Sequence, residues 1–291
     1  MTAALLFEQL LNGLILGSMY ALLGSGVSLI YGTMRVLNFA HGEFYMLGGY
    51  FMFFLVTLAS FHPALAGVVA VLGVFVVAAA FQRTALAKIM RGPDMAFGTI
   101  AVTLGLAYFL QNLALTLWGE NFQSVPYYVT GTMVAGDIRL PWQRILIFAV
   151  AVGVLLAMAA MLKWSRLGLA IRATSQQREA AEVVGIPAAR VHMITFAMAC
   201  ALGAIAAVML APIFAVSPWM GMPQMLKAFV VVILGGLGSF PGAIVAGLML
   251  GVIEAFGITF TSSEWRDVIA FGILILVIWV RPNGLFSSEL R

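Results

Sequence analysis

Asparagine, histidine and glutamate stand close together as Asn38, His41 and Glu43, in the segment NFAHGEF that leads into an apolar stretch. Side chains of these types can bind a metal ion or transfer protons. A metal site needs further ligands, however, and the other histidines, His62 and His192, lie in separate segments. We therefore predict no metal site, and expect Asn38 and His41 to cap a helix or to pack in the protein core.

Two acidic side chains lie in apolar stretches long enough to cross a membrane. Glu43 begins one such stretch and Glu254 lies in the middle of another. Acids inside a membrane usually face the bundle interior or a water-filled cavity. We expect Glu254 to pair with another helix or to line a pathway, with an interhelical hydrogen bond favoured. Glu43 either reaches the membrane interface or lines a pathway, and Lys227 is expected to snorkel to an interface.

The composition requires that membrane helices position these groups. Of the 291 residues, 63% are hydrophobic and 9% are charged, whereas soluble domains have roughly 45–50% apolar and about 25% charged residues. A water-soluble globule is therefore excluded. The single cysteine gives no disulfide framework. The basic residues behind the net charge of +4 are spread along the chain, which indicates cytoplasmic loops and not nucleic-acid binding.

We predict an all-α fold: a single polytopic transmembrane bundle over residues 1–291 with about nine spans, eight or ten being the alternatives. Each span needs about 20 mostly apolar residues. The segment GGLGSFPGA (235–243) between two spans is either a tight turn or the break in a re-entrant pair. The candidate spans are residues 8–30, 42–61, 64–82, 95–118, 142–162, 191–213, 224–240, 242–261 and 266–281.

Lysine and arginine predict the orientation, because cytoplasmic loops carry an excess of them. Alternation of nine spans puts eleven of the fifteen basic residues on one side and four on the other. The richer side is then cytoplasmic, with the N-terminus outside and the C-terminus inside. The eleven are Arg35, Arg83, Lys88, Arg91, Lys163, Arg166, Arg172, Arg178, Arg190, Arg281 and Arg291; the four are Arg139, Arg144, Lys227 and Arg266.

The loop at residues 119–141 is expected on the outer, periplasmic side. It mixes polar, β-branched and turn-forming residues, with Pro126, Gly131 and Gly136 as turn signals. We predict a short strand-and-turn cap there.

The loop at residues 163–190 is expected on the cytoplasmic side, with a short helix at 175–184. Thr174 and Gln177 have the spacing of a capping box, and Gly185 stands where a helix usually ends. The helix has one apolar side and suits a groove on a cytoplasmic partner, a helix lying on lipid headgroups being the alternative. Because the sequence holds no G-x-x-x-x-G-K-[ST] loop, nucleotide-driven work requires another polypeptide.

Two glycine-interrupted segments, NFAHGEF (38–44) and GSFPGAI (238–244), precede apolar runs in the two halves of the chain. Interrupted helices in corresponding places of two halves indicate a substrate path. Small residues at four-residue spacing, such as Gly247 and Gly251, favour close packing of helices.

Strings along nearly the whole chain resemble the inner-membrane permease subunits of ABC importers for branched-chain amino acids, the LivH-type family. They are NGLILGSMYALLGSGVSLIYG (12–32), NFAHGEFYMLGGY (38–50), FLQN (109–112), SRLGLAIRAT (165–174), VVGI (183–186), LKAFVVVILGGLGSFPGAIVAGLMLGVIEA (226–255) and RPNGLF (281–286). This chain departs from many relatives at Ser175–Gln177, where they carry an acidic pair.

The resemblance implies half of an importer channel in the bacterial inner membrane, for branched-chain or other hydrophobic amino acids. The implied partners are a second permease subunit, either a relative or a second copy, two cytoplasmic ATPase subunits that use ATP and Mg, and a periplasmic solute-binding protein. The chain itself is expected to bind no cofactor and to be no enzyme.

The expected site residues fall into two groups. Those assigned to the substrate path, with the segment at 38–44 at the inner end of the second span, are Asn38, His41, Glu43, Tyr45, Met46, Gly236, Ser239 and Glu254. Those assigned to ATPase coupling, by the implied coupling helix, are Arg172, Gln177, Arg178, Glu179, Ala180, Glu182, Gly185 and Ile186.

Other functions stay open. The same class of importer also moves urea, amides or aromatic acids. A proton-coupled secondary transporter or channel would use Glu43 or Glu254 as its proton site and would need no docking helix. A membrane scaffold or enzyme is the third class, and the sequence offers it no nucleophile–base pair.

Overall fold

The computed structural model describes residues 3–90, 92, 94–135, 138–282 and 284–286, so Arg91, Gly136 and Arg291 lie outside the described part. Almost all regular structure is helical. The helices are α1 (Ala3–Met34), α2 (His41–Phe53), α3 (Pro63–Phe81), α4 (Ala87–Ile89), α5 (Met95–Trp118), α6 (Trp142–Trp164), α7 (Arg166–Gln176), α8 (Arg178–Val183), α9 (Ala188–Leu210), α10 (Gly221–Gly235), α11 (Phe240–Phe260) and α12 (Arg266–Val280). The strands are β1 (Thr132–Ala135) and β2 (Ile138–Pro141).

Six of the described helices are long and apolar enough to cross a membrane, and they match six of the nine candidate spans. These six are Leu5–Met34, Pro63–Ile89, Met95–Trp118, Trp142–Trp164, Ala188–Leu210 and Phe240–Phe260. The other three candidates contain the shorter helices α2, which continues as a π-helix over Phe54–Leu58, α10 and α12. Helices α10 and α12 have 15 residues each, which gives about 22 Å at 1.5 Å per residue. That length is less than the roughly 30 Å of a hydrocarbon core.

Helices α1–α3 and helices α9–α11 form two groups with the same order, a long, a short and a long helix. Helix α1 packs against α11, and α9 packs against α3. The short helix α2 packs against α9, the short helix α10 packs against α1, and α2 also contacts α10. The corresponding interrupted elements are therefore α2 and α10, and the sequence pairing of 38–44 with 238–244 is wrong.

Glycines let α1 and α11 approach closely along their length. A Cβ on Gly17 would lie 2.8 Å from Cα of Leu248, and one on Gly247 would lie 2.6 Å from Cα of Ala21. A Cβ on Gly251 would collide with the backbone of Gly17. The close packing expected from Gly247 and Gly251 is thus confirmed.

The segment between α10 and α11 is a tight turn, which decides between the two alternatives left by the sequence. Gly236 and Gly238 have φ angles of 93° and 84°, a region that favours glycine. The Ser239 hydroxyl accepts a hydrogen bond of 3.1 Å from the amide of Gly242 and so caps α11.

The loop at residues 119–141 contains the expected strand-and-turn element. Strands β1 and β2 pair antiparallel, with Met133 opposite Leu140. The Tyr128 hydroxyl fixes the loop to α9 by donating a 2.6 Å hydrogen bond to the carbonyl of Val208. Burial raises the pKa of Tyr128 above the ordinary tyrosine value, so the phenol stays protonated and remains a donor.

The loop at residues 163–190 differs from the predicted single helix at 175–184. Helix α7 already includes Thr174, whose hydroxyl donates to the carbonyl of Ala170 at 2.8 Å and therefore does not cap a helix. Gln177 then adopts an extended conformation (φ −154°, ψ 105°) and separates α7 from α8. The cap that the structure does contain is Ser165, which accepts from Gly168 at the start of α7.

Candidate functional site

Helix α2 begins inside the bundle. The Asn38 side-chain oxygen accepts a 3.1 Å hydrogen bond from the amide of Ala40, and its amide nitrogen lies 3.8 Å from Sγ of Cys200. Cys200 is near the middle of α9. We expected this segment at the inner end of a span. It lies instead beside the middle of α9, because the chain folds back into the bundle after Arg35 (φ 55°). Asn38 does not cap α2, because the N-cap of that helix is Ala40 and has no side-chain cap. Asn38 is instead fully buried, which is the core role expected as the alternative.

The imidazole of His41 fills a niche between α1 and α9. The residue has no exposed surface. A Cβ on Gly26 would lie 2.9 Å from its Cε1, and a Cβ on Gly203 would lie 3.3 Å from its Nε2. Within the described residues, no group of three or more His, Cys, Asp or Glu side chains could hold a metal ion. Packing in the core, as expected, is the arrangement found.

The N-terminal turns of the two short helices meet at Gly42 and Gly221. A Cβ on Gly42 would collide with the backbone of Gly221. A Cβ on Gly221 would in turn lie 2.6 Å from Oε1 of Glu43. These two glycines therefore allow α2 and α10 to touch end against end.

The carboxylate of Glu43 is enclosed at this junction. The side chain is 4% exposed, and its Oε2 has no hydrogen-bond partner in the described structure. It lies against the first residue of α10, where backbone amides and the helix dipole favour negative charge. Glu43 therefore faces the interior of the bundle. A buried carboxylate oxygen with no partner is costly unless a ligand or water binds it.

Of the remaining expected path residues, Tyr45 and Met46 share α2 with Glu43, whereas the other three lie elsewhere. Tyr45 and Met46 are buried on the same helix, at 1% and 0% exposure. Gly236 and Ser239 lie in the turn between α10 and α11. Glu254 is farther along α11, about 22 Å from Ser239 at 1.5 Å per residue.

Glu254 belongs to a separate polar network that joins four helices and is buried except at Asp267. One carboxylate oxygen accepts a 2.8 Å hydrogen bond from Tyr20 on α1, and the other pairs with Lys227 on α10. Lys227 also lies 3.0 Å from Asp267 on α12. The interhelical hydrogen bond expected of Glu254 is confirmed. The expected snorkelling of Lys227 is wrong, because the residue is only 5% exposed and its ammonium group pairs with the buried Glu254 as well as with the exposed Asp267.

Sequence reasoning missed Gly221 as the neighbour of Glu43, Tyr20 as the partner of Glu254 and Asp267 as a partner of Lys227. A signal for Gly221 exists, since it precedes Pro223 at the start of an apolar run, a pattern typical of helix starts. The partners of Lys227 are 27 residues away or more, and no local pattern identifies them.

The expected docking segment is a solvent-exposed tip at the end of α8. Val183 and Val184 are 87% and 76% exposed. The tip ends in a Schellman motif: Gly185 (φ 87°) donates to the carbonyl of Glu182 at 3.0 Å, and Ile186 donates to that of Ala181 at 2.9 Å.

The other residues assigned to coupling surround this tip. Arg178 and Glu182 form an exposed ion pair of 3.1 Å, and Glu179 and Ala180 are exposed beside it. Gln177 is the break between α7 and α8. Arg172 turns the other way, because its guanidinium donates to the carbonyl of Leu162 at the end of α6.

Comparison with known proteins decides the family. The family model described as "Branched-chain amino acid transport system / permease component" matches residues 9–278. The chain belongs to this family. It is a multi-pass helical membrane permease, as the apolar helices require.

Curated relatives cover nearly the whole permease. It is 36% identical to the high-affinity branched-chain amino acid transport system permease protein BraD of Pseudomonas aeruginosa, over 96% of this chain and 95% of that protein. It is 32% identical to the corresponding LivH protein of Escherichia coli K12, with the same coverage. A probable LivH protein of Methanocaldococcus jannaschii is 24% identical over 97% of this chain and 93% of its own length.

Proposed function

We propose that this permease forms half of the translocation path of an ATP-driven ABC importer for branched-chain or other hydrophobic amino acids. The importer takes its solute from a periplasmic binding protein and lies in the bacterial inner membrane. A second permease subunit and two cytoplasmic ATPase subunits, which use ATP and Mg, complete it. The relatives, whose names state branched-chain amino acid transport, support this solute class.

The observation that carries the proposal is the meeting of two short helices inside the bundle. Transporters with repeated halves bind solutes near the middle of the membrane, where the ends of discontinuous helices supply backbone groups. Here the first turns of α2 and α10 meet at Gly42 and Gly221, with the carboxylate of Glu43 beside them. We assign the path to this junction, with Asn38, His41, Glu43, Tyr45 and Met46 on the α2 side.

The chemistry of the junction suits a zwitterion. An amino acid has an ammonium group, for which the unpartnered Oε2 of Glu43 is an acceptor. Its carboxylate is favoured by the positive ends of two helix dipoles. A solute without an ammonium group would leave the Glu43 carboxylate uncompensated. This favours amino acids over the urea and amide solutes of the same importer class.

Glu254, Gly236 and Ser239 take structural roles in this proposal. Glu254 is already compensated by Tyr20 and Lys227. Gly236 and Ser239 shape the turn that starts α11.

The tip of α8 is the proposed contact with an ATPase subunit. Two exposed valines beside an ion pair suit an apolar groove with charged rims, and a rigid Schellman turn holds them in place. Aromatic anchors, which interfacial helices often carry, do not occur in residues 170–190. This favours a protein partner over the lipid surface.

The orientation with the N-terminus outside remains our proposal, with α2, α10 and α12 as short elements among nine. The cavities support the predicted alternation of the loops. Arg144 and Arg266 line a cavity at the start of α1, and Lys163 and Arg172 line a cavity at the end of α1, so the two pairs lie at opposite ends of the bundle. The latter end also leads to the loop richest in basic residues, which favours the cytoplasm.

Reconstitution tests the proposal. The permease alone in liposomes, given a pH gradient and labelled leucine, should move no leucine. Addition of the second permease, the ATPase subunits, the binding protein and internal ATP should start uptake. Leucine uptake by the permease alone that follows the pH gradient and is lost in Glu43→Gln would establish a secondary transporter instead.

A further inference from the structure

A large cavity opens at the end of the bundle that the proposed orientation places in the cytoplasm. It has a volume of about 890 Å³ and lies between the last turns of α1 and α6, helix α7 and the first turn of α11. It is distinct from the junction at Glu43, which lies between α2 and α10. The transport role proposed above leaves this cavity without a function.

The polar part of the cavity wall favours an anion. Lys163 and Arg172 both line it, and the bond from Arg172 to the carbonyl of Leu162 fixes the guanidinium at the wall. The N-terminus of α11 also faces it, at Ser239, and the positive end of a helix dipole attracts phosphate. Among the described lining residues there is no aspartate or glutamate.

Ser28 contributes a buried hydroxyl group to this wall. The residue lines the cavity and has no exposed surface, yet its hydroxyl has no hydrogen-bond partner in the described structure. Buried hydroxyl groups are nearly always satisfied. By contrast, the hydroxyl groups of Thr33 and Ser175 in the same wall donate to backbone carbonyls.

The remainder of the wall is apolar. Leu29, Ala159, Leu162, Ile244 and Phe286 surround the polar groups. A free inorganic anion would leave these apolar side chains without a contact. A molecule with both a phosphate and a hydrocarbon chain would contact the polar and the apolar parts of the wall. Basic pockets between membrane helices on the cytoplasmic side bind anionic lipid headgroups in this way.

We propose that this cavity binds an anionic glycerophospholipid, with its phosphate between Lys163, Arg172 and the start of α11 and with an acyl chain against Leu29 and Ile244. The lipid then stabilises the bend between α6 and α7. In the chain, this bend precedes α8 and its exposed tip. The inference does not depend on which solute the permease transports.

Native mass spectrometry of the full-length permease in detergent tests the site, with phosphatidylglycerol and phosphatidylcholine as probes. The expected result is preferential retention of phosphatidylglycerol. Lys163→Gln should weaken that retention about fivefold, the change that corresponds to roughly 1 kcal/mol for one basic residue. Lys88→Gln is the matched control, since Lys88 is an exposed lysine in the other basic segment and should change nothing.

A second variant, Ala159→Phe, reduces the cavity volume and leaves every charge in place, so it should also lower retention. Equal retention of the two lipids, or equal loss in Lys163→Gln and Lys88→Gln, would overturn the site. Displacement of phosphatidylglycerol by inorganic phosphate would overturn the lipid assignment. None of these results involves transport, so the outcome is separate from that of the proposed function.

Discussion

Gly221 on α10 packs directly against the carboxylate of Glu43 on α2, so that a Cβ at position 221 would lie 2.6 Å from Oε1. This contact joins the starts of two short helices that are far apart in sequence. It places an acid with an unpartnered oxygen at the junction of the two halves. The transport proposal depends on this arrangement.

Replacement of Gly221 with alanine should reduce leucine uptake by the reconstituted importer by about tenfold, equivalent to 1.4 kcal/mol in the rate-limiting barrier. The added methyl displaces the end of a flexible glutamate side chain, so the protein should still fold and insert. Gly105→Ala is the control, because a Cβ there meets nothing within 4 Å. Uptake in Gly221→Ala equal to that in Gly105→Ala would remove the junction from the path.

The pair of Lys227 and Glu254 should stabilise the fold only when both members are present. Lys227→Met leaves Glu254 buried without its cation and should cost about 3–5 kcal/mol of unfolding free energy. The double variant Lys227→Met, Glu254→Met removes both charges and should be more stable than Lys227→Met alone. Thermal unfolding in detergent measures the difference.

Glu254 is also expected to have no direct part in solute binding. The folded fraction of the Glu254→Gln variant should therefore bind leucine with unchanged affinity. A changed affinity together with normal stability would place Glu254 in the path.

The hydrogen bond from Tyr128 to Val208 should hold the loop at residues 119–141 against α9. Tyr128→Phe is expected to cost about 1 kcal/mol and to speed proteolysis of this loop. Tyr127→Phe is the control, since Tyr127 is 59% exposed.

The same bond should be insensitive to pH over the usual range. The folded-state pKa of Tyr128 is raised by burial, so its contribution is complete below the unfolded value of about 10 and is lost only as the pH rises above that value. Proteolysis that accelerates in the wild type between pH 7 and pH 9, but not in Tyr128→Phe, would contradict this assignment.

The exposed valines of α8 should bind the ATPase subunit. Val183→Asp puts a charge into an apolar contact and should reduce co-purification of the ATPase, with no effect on membrane insertion. Val134→Asp changes a valine that is also exposed, at 61%, but lies in the β-hairpin. Equal co-purification with the two variants would show that α8 does not dock.

The long helices and their close packing follow from local sequence patterns. Apolar runs of more than 20 residues predict membrane helices, and the spacing of Gly247 and Gly251 predicts the approach to α1. The turn signals of residues 119–141 likewise predict the hairpin. Each of these features depends on residues close together in the chain.

The sequence does not predict features that depend on tertiary contacts or on a competing local cap. The prediction of one helix at 175–184 is wrong for a local reason, since the Ser165 cap starts α7 earlier and Thr174 falls inside that helix. Hydropathy does not measure helix length, so α10 and α12 match candidate spans although each has 15 residues. Lys227 was expected at an interface because its partners, Glu254 and Asp267, lie on other helices.

The measurement that tests the central claim most directly is labelled leucine uptake into proteoliposomes that hold the permease with and without its ATPase, second permease and binding-protein partners. The account predicts uptake only in the complete system with ATP on the ATPase side, and a loss of that uptake in Glu43→Gln. Leucine uptake by the permease alone, driven by a pH gradient and independent of ATP, would contradict it.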